Sequence, residues 1–428
     1  MPDAAAAASA KLLTPKFATT LAEGYGLGDL RRDAMAGLTV AIVALPLSMA
    51  IAIASGVSPA RGIYTAIIGG FLVSLLGGSR FQIGGPAGAF IVLVAATVAR
   101  FGVDGLVLTV FLSGVMLTLL GVSRLGTLVR HIPHAVTVGF TAGIAVTILA
   151  SQLKDFLGLK LIGVEPGPVF PKLAALAHAL PTAGPWTILI STGVVVLAFG
   201  IRRFRPGWPN LLIAVTAAAL AVKFGHLPVE TIGDRFGGLP HGLPGPQLPV
   251  FGWARIAQVL PTALSFTLLG AIESLLSAVV ADGMTGRRHR SNMELVAQGI
   301  ANIGSSLFGG ISVTGTIART ATNVRAGARS PVAGMLHALF LLTFLMVAAP
   351  LANFIPVAAL AGVLVKVAWN MAEKPAIARL LRDWRTGLVL LATFGLTLAR
   401  DLTTGIVAGC VLAAVFALVR RFRPAAAG

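Results

Sequence analysis

The chain has 428 residues, of which 56% are hydrophobic and only 11% are charged, and its mean hydropathy is +0.89. Soluble domains carry roughly 25% charged residues, so the composition excludes an ordinary water-soluble protein. Cys410 is the only cysteine, which excludes an intrachain disulfide and a metal site built from several thiolates.

The N-terminal segment begins with an alanine-rich stretch and continues with a mildly amphipathic one that contains Lys11, Lys16, Phe17 and Leu21. It lacks the compact apolar core and the small-residue cleavage site of a signal peptide. We therefore predict that residues 1–30 form a cytoplasmic N-terminal tail.

Apolar segments of about 20 residues, the length that crosses about 30 Å of hydrocarbon, recur along the rest of the chain. We predict an all-α integral membrane protein with fourteen transmembrane spans, several of them too short to cross alone. The approximate bounds are 34–54, 60–77, 86–100, 104–122, 134–151, 185–201, 209–224, 257–282, 294–309, 316–326, 331–349, 354–372, 386–400 and 402–420.

Lysine and arginine alternate in abundance between the two sides of this predicted bundle. With a cytoplasmic N-terminus, 22 of the 33 lie in inside segments and nine lie outside, while Arg319 and Lys366 fall within spans. The asymmetry follows the positive-inside rule. It predicts a multi-pass protein of the plasma (bacterial inner) membrane with both termini cytoplasmic. It also accounts for the formal charge of +18 without a nucleic-acid partner.

The two halves of the chain contain matching interruptions. Because each half has an odd number of spans, repeats over 31–225 (spans 1–7) and 256–423 (spans 8–14) would be inverted, as in many secondary transporters. An extracytoplasmic connection over 226–255 would join them. Phe81–Phe90 and Phe308–Thr316 place glycine, proline and hydroxyl residues where the third span of each half should cross. We predict half-helices at spans 3 and 10, the alternative being re-entrant loops that merely shorten a helix.

Two half-helices that meet near the bilayer midplane predict an anion site, since each N-terminus exposes N–H groups and carries about half a positive charge. Gly85, Pro86 and Gly315 would let an anion approach the backbone closely. Thr314 and Thr316 could donate hydroxyl hydrogen bonds, although they would serve equally well as helix caps. The first-half wall of the predicted site also includes Ala87, Gly88 and Ala89.

Several of these segments resemble the sulfate permease (SulP) family, also called solute carrier family 26. Asn292–Gly310 followed by Thr314–Asn323 is similar to the signature of the family's second half. The first span, Asp33–Ala50, and the Gly85-Pro86 pair also agree, and the resemblance extends from about Gly28 to Arg423.

The resemblance implies a core domain of spans 1–4 and 8–11 and a gate domain of spans 5–7 and 12–14. An anion would bind between the ends of spans 3 and 10, and the core would move against the gate like an elevator, usually in a homodimer. Ile51 joins the predicted site because it stands, like Leu47 and Ala87, where some animal relatives carry larger side chains around the anion. Relatives usually continue into a cytoplasmic STAS domain, which we do not expect in this chain.

Glu273 is the only acid that the sequence places deep in a span, about seventeen residues into Ile256–Asp282. An ionised acid at that depth costs on the order of 2.5–3.5 kcal/mol, so Glu273 should pair or take up a proton. We predict proton coupling, with sodium less favoured and a neutral, hydrogen-bonded acid as the alternative. Ser277 shares its helix face at i+4, and Ser274 could reach the substrate.

Arg319 lies one turn into the predicted tenth half-helix. One interpretation is an arginine that snorkels to the cytoplasmic interface. The other is a fixed positive charge behind the anion, or a partner for Glu273. Because the family motif carries arginine at this position, the resemblance favours a role in binding.

The sequence contains no phosphate-binding Gly-x-x-x-x-Gly-Lys-Ser/Thr run, no metal-ligand spacing of histidines and no nucleophile–base pair. We therefore expect neither an enzyme nor a cofactor. The predicted function is proton-coupled secondary transport of a small anion such as sulfate, bicarbonate or a C4-dicarboxylate. The alternatives are an uncoupled anion channel or exchanger and a nucleobase-type symporter of the same fold.

Overall fold

The computed structural model of the protein describes residues 13–127, 133–163, 165–400 and 402–422. The first twelve residues of the predicted tail lie outside this range, as do the predicted cytoplasmic charges Lys11, Arg130 and Arg423. The described chain is predominantly helical, as the composition predicts.

The helices are α1 Lys16–Ala22, α2 Leu27–Ala54, α3 Pro59–Leu76, α4 Ile91–Val122, α5 His134–Leu157, α6 Val169–Ala179, α7 Pro185–Phe204, α8 Asn210–Gly225, α9 Ile232–Phe236, α10 Trp253–Thr285, α11 Ser291–Leu307, α12 Ile317–Arg325, α13 Val332–Val347, α14 Ala349–Ala352, α15 Val357–Met371, α16 Lys374–Leu380, α17 Trp384–Ala399 and α18 Leu402–Phe422. Two short strands, β1 Gly84–Gly85 and β2 Thr314–Gly315, precede a 3₁₀ turn over Gly88–Phe90 and helix α12, respectively.

Within the described ranges, six helices are long and apolar enough to cross a membrane: α2, α3, α4 with its preceding 3₁₀ turn, α5, α7 and α10. Helices α8, α13 and α17 are shorter but also apolar, as is the segment Thr403–Val419 of α18. This confirms the prediction of a multi-pass helical membrane protein. The count of fourteen spans stays a prediction.

Helix α4 consists of two helices that meet at a kink. The break is at Gly102, whose φ of 70° and ψ of −175° are not helical. It falls between the third and fourth predicted spans, 86–100 and 104–122. A single glycine can make this break because it lacks the Cβ that penalises positive φ.

The helices pack in two groups. The first packing group consists of α2, α3, α4 and α10–α13, with α4 lying against both α10 and α11, and α2 against α13. The second packing group consists of α5, α7, α8, α15, α17 and α18, with α5 and α7 lying against α15. Contacts of α2 with α15 join the groups. The two strands belong to the first group, at its boundary with the second.

Candidate functional site

The two interrupted segments meet in the structure as an antiparallel pair of two-residue strands. Gly84 pairs with Gly315, and Gly85 pairs with Thr314. The N–H of Thr316 then donates to the carbonyl of Ile83 at 3.1 Å. Each strand leads directly into a helical segment, so the pairing brings two helix N-termini together from the two halves of the chain.

This close pairing depends on glycine at two positions. A Cβ on Gly85 would overlap the guanidinium of Arg319, and a Cβ on Gly315 would overlap the side-chain amide of Gln82. Any side chain at either residue would therefore push a buried polar group out of place. The glycines predicted to line an anion site thus pack directly against charged and amide groups.

Helix α11 holds both segments in position through one polar face. Glu294, Gln298 and Asn302 follow at intervals of four and are fully or almost fully buried, so they share a face of the helix. The carboxylate of Glu294 accepts the N–H groups of residues 78 and 79 at 2.9 and 3.0 Å. The amide of Asn302 bonds both the N–H and the carbonyl of Val313 at 2.9 Å. The loop before each strand is therefore tied to the same helix.

Two acids near the starts of helices are also buried. Glu294 lies in the first turn of α11 and Asp33 in the second turn of α2, and both are 0% exposed. Asp33 accepts N–H groups from Arg329 and Ser330 at 2.7 and 3.2 Å. In both cases, backbone donors from a distant loop replace the water that an acid would otherwise require.

Helix α10 supports the strands from another direction. The side-chain amide of Gln82 donates to the hydroxyl of Ser274 at 2.8 Å. The hydroxyl of Ser277 donates to that of Thr320 at 3.1 Å, which in turn accepts the N–H of Ile83 at 3.1 Å. Both serines are 0% exposed, and neither lines the cavity described next. Their predicted contacts with substrate and coupling ion stay predictions.

A cavity of about 220 Å³ lies in front of the strand pair, between the two packing groups. Its predicted lining residues are Ile51, Pro86, Ala87, Gly88, Ala89, Glu273, Thr316 and Arg319. The cavity is also lined by Leu47, Thr141, Ile317, Ala318, Val367, Asn370, Met371 and Glu373. Of these residues, only Leu47 is named in the sequence analysis.

The other predicted residues of the site lie in the strand pair behind this lining. Gly85, Thr314 and Gly315 form the strands themselves. The Thr314 hydroxyl is directed at the carbonyl of Gly270 at 3.4 Å and is fully buried. By contrast, the buried Thr316 hydroxyl has no hydrogen-bond partner in the described part of the chain. Thr316 is therefore the hydroxyl with free hydrogen-bonding capacity at the cavity.

Arg319 is buried in the protein rather than directed to an interface, with only 1% of its surface exposed. Its Nη2 donates to the Ser48 hydroxyl at 3.1 Å. Its Nε and Nη1 have no hydrogen-bond partner among the residues that the structure describes. A buried guanidinium with unused donors is costly unless an acceptor is supplied, so Arg319 is a buried and incompletely satisfied cation at the cavity lining.

Glu273 lines the same cavity and is 8% exposed. It forms no ion pair with Arg319 or with any other described cation, nor does its carboxyl group accept a described hydrogen bond. The cavity therefore holds a cation and an acid that do not satisfy each other.

Comparison with known proteins identifies the class of molecule. The sequence profile of the Sulfate permease family matches residues 30–393. The chain belongs to this family. A putative sulfate transporter of Bacillus subtilis (strain 168), YvdB, is 43% identical over 94% of this chain and 76% of its own length. The bicarbonate transporter BicA of Picosynechococcus sp. is 31% identical over 92% of this chain and 71% of its own length.

Solved structures of family members share the fold. The transmembrane domain of a cyanobacterium bicarbonate transporter, BicA, aligns with a TM-score of 0.79 and 33% identity, covering 89% of this chain and 98% of that one. Murine Solute Carrier 26 family member A9, an anion transporter in the inward-facing state, aligns with a TM-score of 0.85 and 18% identity over 95% and 71% of the two chains. The second likeness shows the fold alone. The family assignment makes the protein a membrane transporter and not an enzyme.

Proposed function

We propose that the protein is a secondary active transporter of a small anion of the sulfate, bicarbonate or dicarboxylate class, and that transport is coupled to protons through Glu273. The observation that carries the proposal is the unsatisfied guanidinium of Arg319 beside two helix N-termini that the strand pair brings together. Helix N-termini and arginine side chains both bind anions because each presents N–H donors that carry positive charge.

The lining supports a small, dehydrated anion. Most of its lining residues are apolar, and Arg319, the Thr316 hydroxyl and the N-terminus of α12 lie together on the side of the first packing group. An oxyanion could accept from all three at once. A neutral nucleobase would leave the guanidinium without a charged acceptor. The presence of Arg319 therefore disfavours the alternative of a nucleobase symporter. The names of the relatives, which include sulfate and bicarbonate transporters, agree with this substrate class.

Proton coupling follows from the position of Glu273. A carboxylate and a substrate anion in one cavity of about 220 Å³ repel each other. Protonation of Glu273 removes that repulsion, so proton and anion favour each other's binding. Such favourable linkage is reciprocal and is what a symporter requires.

The proposed movement uses the two packing groups. The cavity is lined by the first group on one side and by α5, α15 and the residues that follow α15 on the other. We propose that the first group is the moving core and the second is the gate, within inverted repeats over 31–225 and 256–423 that are joined by 226–255. We further propose that the chain has fourteen spans, with half-helices at the strand pair and both termini in the cytoplasm. The protein would lie in the plasma membrane as a homodimer.

Uptake into proteoliposomes tests this function. Radiolabelled sulfate or bicarbonate should accumulate when an inward pH gradient is imposed, and accumulation should stop when an ionophore collapses the gradient. Glu273→Gln should abolish the response to the gradient while the protein remains folded. Large currents that ignore the gradient would instead establish a channel, and uptake driven only by an opposing anion would establish an exchanger.

A further inference from the structure

Glu373 is an unexpected component of an anion cavity. It lies between α15 and α16, on the second packing group, and lines the cavity opposite the strand pair. Its side chain is exposed, unlike those of Glu273 and Arg319. An acid at this position opposes the approach of an anion, and neither the sequence pattern nor the proposed coupling at Glu273 requires it.

No neighbouring cation in the described chain neutralises this carboxylate. Lys374, the next residue, places its Nζ 3.0 Å from the ring centroid of Trp369. Arg202 donates to Asn370 at 3.3 Å. Glu373 forms no described ion pair with either, and its side chain does not cap α16. The field of its carboxylate therefore acts on the cavity.

We infer that Glu373 is a specificity-determining residue that disfavours divalent relative to monovalent anions. The inference rests on the proposed anion site. Coulomb energy is proportional to the charge of the bound ion. If the carboxylate weakens the binding of a monovalent anion by a factor f, it therefore weakens that of a divalent anion in the same place by f squared.

The size of the effect follows from the dimensions of the cavity. A compact cavity of about 220 Å³ is roughly 7–8 Å across, similar to the Debye length of about 8 Å at physiological ionic strength. An anion in the cavity therefore feels the charge of Glu373, and salt screens that interaction in part. In a water-like dielectric, a unit charge about 6 Å away corresponds to a factor of about 3 for a monovalent anion and about 10 for a divalent one.

Glu373→Gln is a conservative probe because the side chain is exposed and makes no described hydrogen bond. Dissociation constants of bicarbonate and of sulfate should be measured on the purified, reconstituted protein at one ionic strength. We expect bicarbonate to bind about 3-fold more tightly and sulfate about 10-fold more tightly than to the wild type. Both gains should shrink as salt is raised.

Two control variants separate this effect from changes in net charge or shape. Glu373→Asp keeps the charge and should retain the wild-type preference. Asp104→Asn removes one exposed acid that lies outside the cavity and should leave both constants unchanged. Equal gains for the two anions, no gain for either, or the same gains in Asp104→Asn would overturn the inference while leaving the transport proposal intact. A wild type that binds neither anion would overturn both.

Discussion

Replacement of Arg319 by methionine separates a binding role from a structural one. Methionine approximates the length of the arginine stem but removes the guanidinium. A hydrogen bond from a charged donor contributes about 1.5–3 kcal/mol, and each 1.4 kcal/mol corresponds to a tenfold change in affinity. We therefore expect Arg319→Met to weaken anion binding by about 10- to 150-fold.

The same substitution should leave the free energy of unfolding of the anion-free protein unchanged or slightly increased. In the structure, Arg319 donates one hydrogen bond, to Ser48, and its remaining donors are unpaired. Replacing a buried charge by an apolar group is often neutral or stabilising. Loss of affinity without loss of stability is thus the signature of a residue retained for binding.

Titration with sulfate or bicarbonate, followed by the thermal unfolding of the purified protein, measures both quantities in one assay. Wild type should show an anion-dependent rise in melting temperature that Arg319→Met lacks. Arg325→Met is the matched control, because Arg325 is on the same helix but exposed. Unchanged affinity in Arg319→Met, or a large fall in its anion-free melting temperature, would refute the reasoning.

Three other substitutions test neighbouring features. Ala87→Trp should abolish uptake by filling a cavity of about 220 Å³ without preventing membrane insertion, and normal uptake would show that the anion binds elsewhere. Asn302→Leu should lower the free energy of unfolding by about 2–6 kcal/mol, because it leaves both the N–H and the carbonyl of Val313 buried without a hydrogen-bond partner. A melting temperature equal to that of the wild type would contradict this. Glu273→Gln should make anion affinity nearly independent of pH between 5 and 8, whereas wild-type affinity should rise on acidification, and parallel pH profiles would exclude Glu273 as the coupling group.

The meeting of the two interrupted segments could be predicted from sequence because its signals are local, although their pairing as strands was not predicted. Glycine, proline and hydroxyl residues within Phe81–Phe90 and Phe308–Thr316 are incompatible with a continuous apolar helix, and their matched positions in the two halves indicate that they meet. The depth of Arg319 could not be read in this way. It depends on Gly85 and Ser48, which are far away in the chain and provide the space and the single acceptor for the guanidinium.

The second wall of the cavity was missed for a different reason. Thr141, Asn370 and Glu373 are ordinary residues near helix ends, and no motif distinguishes them from solvent-facing positions. Only the packing of α5 and α15 against the first group directs them into the cavity. The buried acid Glu294 was likewise overlooked, since its compensating N–H donors come from a loop more than 200 residues earlier.

The charges of the cavity, taken together, favour coupled over passive transport. Arg319 contributes one positive charge, and the two helix N-termini contribute about half a charge each. Glu273 and Glu373, when both are ionised, offset this almost completely, so an anion gains little from entering. Neutralisation of Glu273 by a proton leaves the cavity positive by about one charge, which is then available to bind the anion. In the proposed symport, Glu273 beside Arg319, the one buried cation among the described lining residues, makes anion affinity conditional on the proton.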